Sequence, residues 1–195
     1  MQKWAHFASR AHPAYTILMK ILYTAKQVSK RIEAMAQEII TNYKDEKPVF
    51  ACLLKGGVPF TSQLMFAIAR KDPTFHPEVI YLHTSTYGDG KTAGEVQINN
   101  TASPAEIEHR PIIVLDDCLD AGNTYMAVKA HLLELGAKSV GTIVLANKAV
   151  ERPGVDTPLL SGFEAPDTWL VGMGLDDAAT SREAERWAGH LGDVA

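Results

Sequence analysis

Val28, Ile32, Met35, Ile39 and Ile40 recur at helical spacing, and together they give one apolar face to a helix that follows Thr24. Gln27 stands three residues beyond Thr24, so each side chain can satisfy the other's orphan backbone donor in a capping box. The next apolar run, Val49 to Leu54, is strand-length and ends in Lys55-Gly56-Gly57. Pro59 then falls in the first turn of a second helix, where its missing donor does no harm; that helix runs to about Arg70. Val79 to Leu82 predicts another strand extending toward Tyr87, and the glycine-rich stretch from Gly88 to Gly94 breaks it into a loop. Ile112 to Leu115 is continuously apolar, as in a strand buried on both faces. A helix from about Thr124 to Leu135 stops at Gly136, a good left-handed cap, and strands follow at Val140 to Ala146 and Thr168 to Met173. Residues 1–19 have little pattern. This alternation predicts an α/β fold, a mostly parallel central sheet flanked by helices. Ligands of such sheets bind beyond the carboxyl ends of the strands, which directs attention to residues 54–57, 86–94, 116–124 and 147–148.

The length of 195 residues fits one domain that buries about 70% of its unfolded surface. A charged fraction of 22% beside a hydrophobic fraction of 46% excludes a disordered or low-complexity chain. The apolar stretch Tyr15 to Met19 is far too short to span a bilayer, and no signal-peptide pattern precedes residue 30, so the expectation is a cytoplasmic protein without membrane contact. Cys52 and Cys118 make neither a disulfide framework nor a metal motif. The seven histidines show no ligand spacing either. A net charge of −4 argues against a nucleic-acid partner but leaves room for a small phosphorylated substrate, which needs only a local site.

The chemistry concentrates in IIVLDDCLDAGNTY, residues 112–125. A buried strand runs into Asp116 and Asp117, then Asp120, then a small-residue turn that opens a helix. Adjacent carboxylates raise one another's pKa unless cations or hydroxyls stabilise them, so the pair suits a sugar diol, a metal ion or both. Ala121, Gly122, Asn123 and Thr124 can offer successive backbone N–H groups to a phosphate. The plainer alternative makes Asp120 a helix cap and the pair solvated loop residues.

This string resembles the phosphoribosyl pyrophosphate (PRPP) motif of type I phosphoribosyltransferases, and the rest of the chain resembles the hypoxanthine-guanine phosphoribosyltransferase family from Ile21 to Trp187. Leu54-Lys55-Gly56-Gly57 is similar to the family's pyrophosphate loop, which carries a cis peptide between the first two of these residues. Thr86-Tyr87-Gly88 is similar to the start of its catalytic lid, and residues 162–176, GFEAPDTWLVGMGLD, to its purine-binding hood. The resemblance implies one phosphoribosyltransferase domain over residues 1–195, with a hood formed by about 1–23 and about 150–195.

It also implies roles. Asp116 and Asp117 would hold the ribose hydroxyls beside Mg²⁺, and residues 121–124 the 5′-phosphate. Asp120 would take the proton from purine N7 as N9 attacks the anomeric carbon. Lys55 and Gly56 would meet pyrophosphate, as would Arg182, although residues 177–181 depart from the family's aromatic-rich pattern. Lys148 would donate to a purine 6-oxo group, Trp169 would stack on the ring, and Leu170 and Asp176 would meet its 2-position. The Asp176 carboxylate would help hold a second Mg²⁺. Ala121 replaces the Thr or Ser of most members, and Cys118 reads as a small filler. The implied activity is salvage of hypoxanthine or guanine with PRPP to IMP or GMP and pyrophosphate, by a homodimer or homotetramer. A PRPP- or nucleotide-binding regulator on the same fold and a catalytically weakened paralogue are the alternatives.

Overall fold

A computed structural model describes residues 19–87, 95–100, 102–175 and 188–194. Helix α1, Ala25–Tyr43, begins at the expected capping box: Thr24 Oγ1 accepts from Gln27 N, and Gln27 Oε1 accepts from Thr24 N. Its buried residues are Val28, Ile32, Met35, Ala36 and Ile39, while Ile40 lies at the rim of the apolar face. Strand β2, Val49–Leu54, feeds α2, Gly57–Lys71. Strand β3, Glu78–Tyr87, turns back as β4, Glu95–Asn100, and a short α3, Pro104–Ile107, follows. Then come β5, Pro111–Leu119, α4, Asn123–Glu134, and β6, Ser139–Lys148. The chain continues through β7, Leu160–Ala165, β8, Trp169–Val171, and β9, Leu191–Val194.

Six strands form the central sheet in the order β4-β3-β2-β5-β6-β7. All its pairings are parallel except the edge hairpin of β3 with β4. Alternate residues of the central strands face opposite layers, as the two-residue period of a strand requires. Phe50, Ile113, Leu115, Ile143 and Leu145 pack with α1 and α2, whereas Val49, Ala51, Ile112, Val114 and Val144 pack with α3 and α4. Burial on both faces is the reason these strands read as unbroken apolar runs.

A second sheet, β1-β9-β8, is antiparallel and brings the first described strand, β1 at Met19–Tyr23, against the last. The strand expected at 168–173 therefore belongs to this small sheet, with β8 covering only 169–171. The expected hood boundary also shifts. Residues 160–165, placed in the hood from the sequence, pair with β6 and extend the central sheet. Three of the described strands carry no apolar run to mark them: β4, β7 and β9. Strand β4, EVQINN, lies at the sheet edge with one polar rim, and β7, LSGFEA, is only half-buried along most of its length. No helix among the described residues is long and apolar enough to cross a membrane.

Candidate active site

Strand β5 does not end at Leu115. It keeps its ladder with β6 as far as Leu119 opposite Asn147, so Asp116, Asp117 and Cys118 are strand residues and not a solvated loop. Asp116 Oδ1 accepts the N–H of Asp117 at 2.9 Å. Burial, and then the Asp117 carboxylate beside it, push the Asp116 carboxyl well above the usual carboxylate range. Such a pair calls for hydroxyl donors or a cation.

Asp120 is not the cap of α4. Gly122 takes that position with φ +83°, a left-handed conformation suited to glycine. A Cβ at Gly122 would lie 2.8 Å from Val155, so the residue also admits a close neighbour. Freed from capping, the Asp120 side chain accepts from Lys148 Nζ at 2.7 Å. Asp120 is 60% exposed at its side chain and Lys148 only 11%, so the lysine is held in the wall while the carboxylate faces outward. Asp167 Oδ1 is a second, longer partner of Lys148 at 3.8 Å.

The Leu54–Lys55 peptide is cis, as the resemblance implies. Gly56 follows it and is boxed in: a Cβ there would stand 2.0 Å from Asp117 Oδ2. On the other side the Gly56 carbonyl lies against Gly174, whose own Cβ would be 1.9 Å away. Gly172, Met173 and Gly174 all have positive φ, and buried Met173 anchors this turn in the core. The hood thus presses on the back of the Lys55-Gly56 loop.

Three concavities meet here. One of about 440 Å³ runs between Lys55-Gly56 and the Asp116–Asp117 pair; one of about 200 Å³ lies over residues 121–124. The third, about 130 Å³, is lined by Cys118, Asp120, Lys148, Trp169, Leu170 and Leu175. Cys118 lines all three, with its thiol pushed up to about 12, chiefly by burial, which fits a filler and not a nucleophile. Trp169 is 51% exposed over the third concavity, so it is not a core residue. Leu170 is buried beneath it and pairs with Asp193 of β9. Thr86 and Tyr87 end β3 opposite Val96 and Glu95, on the stem of the hairpin. Residues 88–94, Asp176 and Arg182 lie outside the described residues. A further cavity of about 430 Å³ opens at the amino ends of the strands, but its Lys44 and Arg110 are already paired with Asp72 and Glu78.

Sequence reasoning missed the segment between β6 and β7. Arg152 donates from Nη2 to the carbonyls of Leu119 (2.7 Å) and Lys148 (2.6 Å), and from Nε to that of Asp120. Asp156 accepts from Tyr125 Oη at 3.1 Å and from Lys129. No periodicity announces these contacts, because each is a side chain in an irregular loop reaching back to a strand end. Among the described residues no three His, Cys, Asp or Glu side chains converge as a metal site. An ion at Asp116 and Asp117 would need further oxygens from substrate or water, a coordination that suits Mg²⁺.

A carboxylate pair near the end of a buried parallel strand, with a run of backbone donors opening the next helix, has the chemistry to suit a phosphorylated sugar. The phosphoribosyl transferase domain family matches residues 19–178. Over 160 residues the chain is 32% identical to the hypoxanthine-guanine phosphoribosyltransferase of Aquifex aeolicus, covering 81% of this chain and 86% of that one. Identity to the Bacillus subtilis enzyme of the same name is 30% over 168 residues, 84% and 88% of the two chains. The crystal structure of a hypoxanthine phosphoribosyltransferase from Staphylococcus aureus superposes with a TM-score of 0.77 at 24% identity, over 90% of this chain and 91% of that one. The chain belongs to the hypoxanthine-guanine phosphoribosyltransferase family.

Proposed function

We propose that this protein transfers the 5-phosphoribosyl group of PRPP to N9 of a 6-oxopurine, hypoxanthine or guanine, giving IMP or GMP and pyrophosphate. The observation that carries this reading is the Lys148–Asp120 pair, 2.7 Å apart in a concavity roofed by Trp169 and adjoining the acidic strand end. Lys148 offers a donor and Asp120 an acceptor side by side. A 6-oxopurine offers the complement on one edge, an accepting 6-oxo group next to an N7 proton. Adenine, with an amino group at that place, does not.

In the reaction the N9–C1 bond forms as the bond from C1 to pyrophosphate breaks. Asp120 receives the N7 proton, and its charge stabilises the positive charge that develops on sugar and base. Asp116 and Asp117 hold the ribose diol, and the backbone donors of 121–124 hold the 5′-phosphate. Lys55 and Gly56 receive the pyrophosphate, and Arg182 has the same role by resemblance. Trp169 stacks on the base, and backbone groups near Leu170 and Asp176 meet its 2-position. Thr86 and Tyr87 begin a lid that keeps water from C1. Asp116 and Asp117, with Asp176 for a second ion, would hold Mg²⁺, which supplies charge neutralisation to the departing pyrophosphate. The same reading includes a homodimer or homotetramer, which light scattering would report. A regulator on this fold is not favoured, since enzymes align with the chain over most of both lengths.

The direct test is pyrophosphate release from PRPP with each of hypoxanthine, guanine, xanthine and adenine offered singly. Turnover with hypoxanthine or guanine and none with adenine is expected; no turnover with any base overturns the reading. Lys148→Met keeps the length and removes the donor, so 6-oxopurine binding should weaken by about 1.5–3 kcal/mol while PRPP binding without purine is barely altered. Equal damage to both would give Lys148 a structural role. Ala121→Ser should restore a hydroxyl to the phosphate cradle and lower the PRPP dissociation constant by roughly ten- to a hundredfold, with the purine constant fixed. Calorimetric titration that finds tighter purine binding instead would contradict the placement of this loop.

A further inference from the structure

We infer that Arg152 is a positioning residue that sets the separation of Asp120 and Lys148, and so fixes the purine-recognising edge of the site. The inference rests on the reading above, in which these two side chains meet N7 and the 6-oxo group. The β5–β6 ladder ends at Leu119 opposite Asn147. The two functional side chains emerge just beyond that pair, one from each strand end, where backbone hydrogen bonds no longer hold the strands together. Arg152 takes over there. One guanidinium donates to the carbonyls of Leu119 and Asp120 on the β5 side and to that of Lys148 on the β6 side.

A planar group with donors in a fixed fork imposes both distance and orientation on its acceptors. Carbonyls on either side of the guanidinium cannot drift apart without losing bonds in a half-buried place. The loop that carries Arg152 is itself fastened to the phosphate cradle: Val155 packs on Gly122, and Asp156 accepts from Tyr125 and Lys129. The arginine thus ties the purine half of the site to the PRPP half without a contact to either substrate being required.

The test uses the full chain, PRPP and hypoxanthine, with Arg152→Met alone and combined with Asp120→Asn or Lys148→Met. Positioning predicts that Arg152→Met lowers kcat/KM for hypoxanthine by about ten- to a hundredfold, the scale of a misplacement near 1 Å. The PRPP dissociation constant measured without purine should stay within about threefold, and the effect should largely vanish in the Asp120→Asn and Lys148→Met backgrounds. Arg152→Lys keeps the charge but not the fork, so it should show the same pattern more weakly; should Arg152→Met fail to fold, it carries the test alone. Equal losses for PRPP and hypoxanthine, or losses that add fully to those of Asp120→Asn, overturn the inference while leaving the function standing. If Asp120→Asn and Lys148→Met themselves leave turnover unchanged, the reading of the site fails, and the inference with it.

Discussion

Asp120→Asn should lower kcat by roughly 10²- to 10⁴-fold, the range for loss of a general base, with PRPP affinity nearly unchanged. The substitution keeps the shape of the side chain, so the loop between the acidic pair and the glycine-capped helix has no reason to rearrange. What disappears is the proton acceptor beside N7 and the negative charge that stabilises a positively charged transition state. The ion pair with Lys148 at 2.7 Å also weakens to a hydrogen bond from the ammonium to an uncharged amide oxygen, and Asp167, at 3.8 Å, remains to hold the lysine in place. A modest rise in the purine KM should therefore accompany the large fall in kcat. Steady-state kinetics with both substrates, and PRPP binding measured alone, separate the roles. A variant in which only the KM for PRPP rises would make Asp120 a binding residue, and a variant with normal kcat would remove it from the chemistry.

The parts of the fold that were legible in the sequence are those governed by local rules. The capping box at Thr24, the apolar stripe of α1, Gly136 after α4 and the doubly buried runs of β2, β5 and β6 all follow from spacing or residue type within a few positions. The acidic string at 116–124 was legible for the same reason, as a contiguous run of chemistry at a strand end. Strands at the rims were not. β4 and β7 are stabilised by pairing with neighbours far away in sequence, and their polar or glycine-interrupted segments bury too little to show an alternation. Two adjacent carboxylates read as the end of a strand, whereas the ladder of β5 to β6 carries them inside it. Contacts such as Arg152 on three carbonyls, or Gly174 on Gly56, join loops that only the folded sheet brings together. No one-dimensional pattern encodes them.

Gly56→Ala should weaken PRPP binding strongly although it adds only one methyl group. The backbone there is ordinary, φ −61° and ψ −45°, so alanine meets no conformational penalty; the obstacle is space. A Cβ would sit 2.0 Å from Asp117 Oδ2 and 2.8 Å from Asp117 Cγ, well inside van der Waals contact. The loop cannot retreat, because the Gly56 carbonyl is already pressed against the Gly174 backbone on the hood side, and Gly57 behind it lies close to the Leu115 carbonyl. The remaining way out is for the Asp117 side chain to turn away, which removes a carboxylate from the ribose diol and from the place where Mg²⁺ would sit. Overpacking of this kind costs about 1–3 kcal/mol, and here the cost falls on the PRPP-bound geometry, so kcat/KM for PRPP should drop by roughly five- to 150-fold. Stability should change little, since Gly56 begins a helix whose anchors, Phe60, Leu64 and Ile68, lie further along and are untouched. Calorimetric titration with PRPP beside a thermal melt decides the matter. Weak PRPP binding with a near-normal melting temperature is the expected pair of results. Normal PRPP binding would mean that the loop can open away from Asp117, and that the close fit of Gly56 between acidic strand and hood does not shape the pyrophosphate site.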